Sequence, residues 1–152
     1  IALETQTATL AAQRANRASL AAIESAMQGL RHWAEIGKTG QDVDEAELHF
    51  HDNDVGFHEA VALSSGNRII SYLFEAMAEP LRRSFYLSRR GHDLRGHTID
   101  DTINAHEAVL QAIRDGNGKA AGIAMRAHLE DTERDIRAAL NSRPDRPVAW
   151  GP

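Results

Sequence analysis

Apolar residues recur every three or four positions along almost the whole of this chain of 152 residues. Glycine and proline interrupt the pattern only at wide intervals, and β-branched runs that alternate with polar residues are nearly absent. A helix turns once in about 3.6 residues, whereas a strand buried on one face needs strict alternation. The spacing therefore predicts an all-α fold.

Glycine and proline divide the chain into six predicted helices with short links between them. They cover about residues 2–16, 19–36, 42–64, 68–90, 98–114 and 118–141. Short links favour neighbours that run antiparallel. Ser19 is a candidate N-cap, and Asn67 can cap the fourth helix, which contains Pro80. We expect a mobile polar connection over 89–97 and an irregular tail from Ser142 onward.

Composition narrows the classes of function. A 42% hydrophobic content over this length fits one domain with a real core, which we place at 1–152. The net charge of -5 and the absence of a basic face argue against nucleic-acid binding by this chain alone. The sequence shows neither a signal segment nor a membrane-length apolar run, so a cytoplasmic location is expected. Because it begins at Ile1, we interpret it as a piece of a longer protein.

Histidine and aspartate occupy core positions of three predicted helices. On the third, Asp54 and His58 are four residues apart and therefore share a face. The apolar stripe of the fifth reads Ile99, Ile103, His106, Leu110 and Ile113. The stripe of the sixth reads Ala121, Met125, His128, Thr132, Ile136 and Leu140. The pattern thus predicts that one carboxylate and three imidazoles converge on one core.

Any one of these histidines could be an ordinary core residue that finds a hydrogen bond. A carboxylate buried with three imidazoles is costly, however, unless a cation compensates its charge. Because the chain has no cysteine, imidazole and carboxylate are the available metal ligands. We therefore predict a divalent metal site at Asp54, His58, His106 and His128. The other histidines are expected to be solvated: His32, His49, His51, His92 and His97.

Five segments, in order, resemble the FCD effector-binding domain of the FadR group of GntR-family bacterial transcription regulators. They are LETQTATLAAQRA, DVGFHEAVALSSGNRII, PLRRS, HEAVLQAIRDGN and AAGIAMRAHL. The resemblance covers about residues 3–140, and the order and separation of the segments carry it. The arginine that usually precedes the opening "LE" in this family is absent here.

The resemblance implies an antiparallel bundle of six or seven helices around a central cavity for a ligand and a metal. It assigns the metal to Asp54, His58, His106 and His128, and Zn, Ni, Fe or Mn would suit these ligands. It further implies a small carboxylic-acid effector, a homodimer, and operator DNA bound by a winged-helix domain absent from this chain. Stripes of small side chains suggest the first helical pair as the dimer surface: Ala8, Ala11, Ala12 and Ala15.

Two arginines past Pro80, Arg82 and Arg83, are candidates for pairing with the effector, although either could equally be a solvated surface residue. An enzyme alternative is a metal-dependent phosphohydrolase of HD type, since the doublet His51-Asp52 occurs in an all-α chain. Adjacent helical residues diverge by about 100°, which disfavours it. A third possibility is a helical adaptor whose histidines only fill the core. The sequence carries no nucleophile elbow or phosphate-binding glycine loop, and we predict no catalytic residue.

Overall fold

The computed structural model describes residues 1–142, and it confirms the predicted all-α fold. Over this part of the chain there are six helices and no strand. Their bounds are α1 Ala2–Arg14, α2 Arg17–Thr39, α3 Val43–Ser64, α4 Arg68–Leu94, α5 Ile99–Arg114 and α6 Gly118–Asn141. The predicted irregular tail lies outside the described residues, apart from Ser142. None of the described helices is both long and apolar enough to cross a membrane.

Side-chain caps define several helix starts. Asn16, rather than the predicted Ser19, is the N-cap of α2, and the two side chains form a reciprocal capping box. Asn67 caps α4 as predicted, because its side chain accepts from the backbone N–H groups of Ile69 and Ile70. Gly40 is the C-cap of α2, and its φ of 74° is the left-handed conformation that glycine adopts without strain.

The prediction of a mobile connection over 89–97 was wrong. Helix α4 continues through Pro80 and through most of this segment to Leu94, and Gly91 and His92 are buried. A Cβ atom at Gly91 would lie 1.7 Å from the carbonyl oxygen of Asp135, so the missing side chain lets α4 pack directly against α6. The segment resembles a loop in composition, but Gly91 is a position where two helices pack closely.

A single main core joins α1, α2, α3, α5 and α6. Its largest fully buried apolar side chains are Phe57, Ile23, Met27, Leu30, Leu110 and Met125. Ala8 and Ala11 are fully buried in this core, and Ala12 is 9% exposed. The small side chains of α1 therefore pack inside the domain, so they are not available as the dimer surface for which they were proposed.

The predicted stripe of α6 follows the core as far as His128 and then leaves it. Asp135 and Ala139 are buried, whereas Leu140 is 43% exposed. Each step of four residues rotates a position by about 40° around a helix. Three successive four-residue steps from His128 to Leu140 therefore carried the predicted stripe off the buried face. The buried Asp135 lies seven residues beyond His128, which is close to two full turns.

Candidate metal centre

Three helices bring the predicted metal ligands together in the core. Asp54 and His58 lie one turn apart on α3, while His106 comes from α5 and His128 from α6. All four side chains are buried, with exposed fractions from 0% for His106 to 9% for His128. One ligand atom from each residue lies within 4.8 Å of the others. We call this group the central cluster.

The nitrogen and oxygen atoms of the central cluster face one another at short range. His106 Nε2 is 2.7 Å and His58 Nε2 is 3.7 Å from Asp54 Oδ1. His58 Nε2 and His128 Nε2 are 3.3 Å apart. Neither Asp54 Oδ1 nor His106 Nε2 has an aligned hydrogen-bond partner, although both atoms are buried. Such orphaned polar atoms are costly unless a further group satisfies them.

These distances fit the ligand shell of a small divalent ion. A tetrahedral ion with bonds of about 2.0–2.1 Å separates its ligand atoms by about 3.3 Å, and a more crowded shell brings them closer. The observed separations of 2.7, 3.3 and 3.7 Å span this value. The donor set of three imidazoles and one carboxylate suits Zn, Ni, Fe or Mn.

Contacts outside the central cluster orient two of its imidazoles. The Nδ1–H of His106 donates to the carbonyl oxygen of Thr102 at 2.9 Å, which leaves Nε2 to face the cluster. On His58, Nδ1 lies 2.5 Å from the carboxylate oxygen Oε2 of Glu4 on α1, an ion-pair contact without aligned hydrogen-bond geometry. A carboxylate behind a histidine in this way fixes the ring and makes it a stronger ligand.

Glu4 is a site residue that the sequence interpretation missed. It lies on the first helix, far in sequence from the other members, and its side chain is 12% exposed. Its spacing to Ala8 and Ala11, which are fully buried, places it on the buried stripe of α1. The position of the Glu4 carboxylate on a buried apolar stripe was the sequence signal that could have identified it, as it did for Asp54.

The charges of the cluster are strongly coupled. Burial by itself raises the pKa of the Asp54 carboxyl, but His106, His58 and His128 outweigh it and hold the pKa at about 2. Burial acts to lower the pKa of His58, but Glu4 and Asp54 raise it above its ordinary value. The pKa of His128 falls well below its ordinary value because of burial and the neighbouring His106 and His58. His128 is therefore the imidazole most strongly favoured as a neutral ligand.

A cavity of about 340 Å³ adjoins the central cluster, and Asp54 and His128 form part of its wall. Its apolar lining includes one aromatic ring and four small side chains: Phe85, Ala105, Ala108, Ala124 and Ala127. Polar groups also line it, among them Ser88, Thr102 and Arg134. The cavity thus combines room for a small molecule, access to the cluster, and one guanidinium group, which pairs with Asp131 at 2.9 Å.

The structure does not bring Arg82 and Arg83 to this cavity. Arg82 pairs with Asp52 at 3.0 Å and Arg83 with Glu79 at 3.4 Å, and both side chains are about half exposed, at 48% and 47%. Both lie on the outer side of α4. The arginine that lines the cavity is Arg134 of α6, which the sequence interpretation did not single out.

Two of the histidines expected to be solvated are buried, which corrects that prediction. His51 is 8% and His92 is 4% exposed. His32 is exposed, and the side chains of His49 and His97 are 41% and 32% exposed. The HD doublet diverges as expected for adjacent helical residues, since His51 is buried while Asp52 pairs with Arg82 at the surface.

Comparison with known proteins gives the class of this domain. Residues 1–131 match the model of the FCD domain, so the chain belongs to the FCD domain family, found in GntR-family transcription regulators. It is 28% identical over 132 residues to the HTH-type transcriptional regulator LutR of Bacillus subtilis, covering 86% of this chain and 56% of that protein. It is 29% identical over 135 residues to the galactonate operon transcriptional repressor of Escherichia coli, covering 89% and 53% respectively.

The solved structure of a Streptococcus agalactiae GntR protein is also similar, with a TM-score of 0.64 and 25% identity. The match covers 88% of this chain and 54% of that one. The chain thus spans about half the length of the regulators that it resembles. The two curated relatives are named as transcription regulators.

Proposed function

We propose that this domain is the sensor of a transcription regulator, and that it binds a divalent cation together with a small carboxylic acid. The observation that carries the proposal is the central cluster, in which four buried ligand atoms lie within 4.8 Å of one another. Asp54, His58, His106 and His128 would hold the cation. When bound, the cation would neutralise the buried carboxylate and offer open coordination positions to an acid.

The adjoining cavity supports the acid as the second ligand. An acid in this space of about 340 Å³ would have one end beside Asp54 and His128 and could reach Arg134 with another oxygen. A guanidinium pairs well with carboxylate or hydroxyl oxygens through its planar fork. Arg134 lines the cavity, whereas Arg82 and Arg83 do not, so we favour Arg134 for this role. Its guanidinium would exchange a contact with Asp131 at 2.9 Å for the acid.

The relatives are consistent with a hydroxy acid as the ligand. One of them is named for the galactonate operon, and galactonate is a small hydroxycarboxylate. Threonine and serine hydroxyl groups on the cavity wall, those of Thr102, Thr132 and Ser88, could bind such hydroxyls. We therefore propose a hydroxylated carboxylic acid as the effector.

Control of DNA would require a second copy and a DNA-binding domain. We propose that the protein is a homodimer in which operator DNA is bound by an N-terminal domain outside this chain. An apolar face on α4 is a better dimer surface than α1, because it is exposed here. Its residues are Ile69, Tyr72, Leu73 and Met77, which are 72%, 59%, 46% and 43% exposed. A change in the pairing of two bundles would alter the spacing of the attached DNA-binding domains.

Calorimetric titration tests the metal and acid together. Galactonate, citrate and acetate would be titrated into metal-loaded protein, chelator-treated protein, and the His106→Ala variant. We expect the loaded protein to bind at least one acid, and chelation or His106→Ala to weaken that binding at least tenfold, because both remove the charge that the acid meets. Linkage then requires the acid to slow metal loss to a chelator.

The matched control is His32→Ala, since His32 is an exposed histidine outside the cluster. This variant should bind metal and acid as the unaltered chain does. Equal acid affinity in the loaded, chelated and His106→Ala forms would show that the cation does not anchor the acid. Failure of the loaded form to retain any divalent metal would contradict the metal site itself.

A further inference from the structure

A second cavity, lined by parts of α2, α3, α4 and α5, lies apart from the central cluster. It has a volume of about 220 Å³, and its wall includes Trp33, Phe50, His51, Arg89 and Ile99. Among the described residues that line it, none belongs to the central cluster. We call it the Arg89 cavity. A ligand bound there would not touch the metal ligands.

Two basic side chains of the Arg89 cavity carry buried nitrogen atoms without a hydrogen-bond partner. His51 is 8% exposed, and neither of its ring nitrogens makes a hydrogen bond. Its nearest carboxylate oxygen, Glu47 Oε1, is 3.5 Å from Nε2. Nη1 of Arg89 is likewise buried and unpartnered, while Nη2 reaches Asp93 at 3.3 Å. Buried donors without a partner cost free energy, and a bound hydrogen-bond acceptor would remove that cost.

The remaining charges of the cavity leave Arg89 and His51 as the groups free to bind. Lys38 also lines it, but its ammonium group is already 2.8 Å from Glu35 and 2.6 Å from Asp100. Glu47 lines the cavity as well, and its carboxylate would repel an anion placed beside it. The arrangement therefore directs an anionic group toward the guanidinium of Arg89 and away from the carboxylate of Glu47.

The rest of the wall sets the shape of the ligand. Trp33, Val43, Phe50 and Ile99 supply an apolar surface, and the ring of Trp33 is held in place by stacking on His49 at a centroid distance of 4.3 Å. A volume of about 220 Å³ has room for a benzoate-sized molecule. Small-molecule sites of this kind combine an apolar wall with a few polar groups.

We propose that the Arg89 cavity is a second, metal-independent binding site for a small monocarboxylic acid with an aromatic or branched apolar body. The carboxylate pairs with Arg89 and accepts a hydrogen bond from His51, while the body packs against Trp33 and Phe50. Arg89 fits this role because a guanidinium presents two parallel donors to a carboxylate. The site differs from the cavity beside Asp54 and His128 in having no metal ligand and a larger share of aromatic wall.

Fluorescence of Trp33 tests the site directly with benzoate as the probe. The other tryptophan, Trp150, would be replaced by phenylalanine so that Trp33 is the only reporter. We expect saturable change in emission on adding benzoate, and at least tenfold weaker binding of neutral benzamide, because the charge pairs with Arg89. Chelation of metal should leave the benzoate affinity within twofold.

Arg89→Met retains the apolar stem of the side chain and removes its charge, so benzoate affinity should fall at least tenfold. The matched control is Arg90→Met, the neighbouring exposed arginine, which should leave the affinity within twofold. Melting curves of both variants separate loss of binding from loss of folding. If Arg89→Met is unfolded, Arg89→Lys replaces it and should weaken binding at least threefold, because an ammonium cannot form the two parallel bonds.

Three results would overturn the proposal. One is the absence of saturable benzoate binding to the Trp150→Phe chain, and another is equal affinity in this chain and in its folded Arg89 variant. The third is loss of binding on chelation or with His106→Ala, which would place benzoate beside the central cluster. Retained benzoate binding in a protein that fails to hold metal would support the Arg89 cavity while contradicting the metal site.

Discussion

Two groups of buried or half-buried histidine and aspartate side chains look alike in composition but differ in how their charge is neutralised. In the central cluster, the described contacts of Asp54 are with histidines only. In the second group, which we call the Arg95 cluster, Arg95 contacts both Asp131 and Asp135, and His97 lies beside Asp131. Both groups place their possible ligand atoms within 4.8 Å of one another.

The difference shows that ligand count and distance alone do not define a metal site. The guanidinium of Arg95 already supplies the positive charge that the carboxylates of Asp131 and Asp135 need, and it ties the end of α4 to α6. A divalent ion would have to displace it. The central cluster has no such guanidinium contact among its described residues, so a cation would complete it. We therefore propose the first as a metal centre and interpret the second as a structural ion-pair network.

The largest expected effect separates the two groups by metal content. Replacing His58 with alanine should lower metal affinity at least 100-fold, because it removes one of four ligands. Replacing His97 with alanine should leave the affinity within twofold. Metal analysis after dialysis, followed by competition with a chromogenic chelator, measures both. One retained metal ion per His58→Ala chain and none per His97→Ala chain would reverse our assignment of the clusters.

A smaller effect is expected from removing the guanidinium group of Arg95. Arg95→Met should destabilise the metal-free domain by about 2–3 kcal/mol, since it leaves the buried Asp135 carboxylate without its charged partner and, among the described contacts, with only a 3.5 Å hydrogen bond from the Ser88 hydroxyl. Arg134→Met is the matched control, because its side chain is 57% exposed and its one ion pair in the described part of the chain is with Asp131; a change within about 0.5 kcal/mol is expected. Urea unfolding gives both values. If both variants change the free energy of unfolding equally and only slightly, Arg95 does not stabilise the contact between α4 and α6.

The contact between α1 and the central cluster should matter for metal more than for folding. Glu4→Gln keeps the shape of the side chain but removes the charge that orients His58, so metal affinity should fall by about tenfold. Glu24→Gln provides a control on a carboxylate that pairs with Arg114 away from the cluster. Chelator competition is the measurement. If Glu4→Gln binds metal as tightly as the unaltered chain, Glu4 is only a packing residue.

The smallest effect is the dependence of stability on pH in the metal-free domain. The folded pKa of Asp54, about 2, lies below its ordinary value of 3.8, so its contribution is present above the ordinary pKa and is lost as pH falls toward the folded one. Between about pH 5 and about pH 3 this loss should reach about 1 kcal/mol. Asp54→Asn should lack this component when unfolding is compared at the two pH values. A slope identical to that of the unaltered chain would show that Asp54 is not held ionised by the histidines.

The central cluster could be predicted from the sequence because helical periodicity is local. Asp54 and His58 share a face at a spacing of four, and the apolar neighbours of His106 and His128 indicate which way those rings point. The same logic failed beyond His128, where four-residue steps led to the exposed Leu140 instead of the buried Asp135. It also failed at Gly91, where polar neighbours concealed a close helix contact.

Local periodicity determined which helical faces turn inward, and so it determined the all-α fold and the four candidate ligands of this chain. The tertiary structure decided what stands opposite each face. It placed Glu4 behind His58, Arg95 against Asp131 and Asp135, and Arg89 beside His51 in a separate cavity. These pairings join residues far apart in sequence through the rotation and depth at which helices pack, which depend on side-chain shapes along the whole contact rather than on any local spacing.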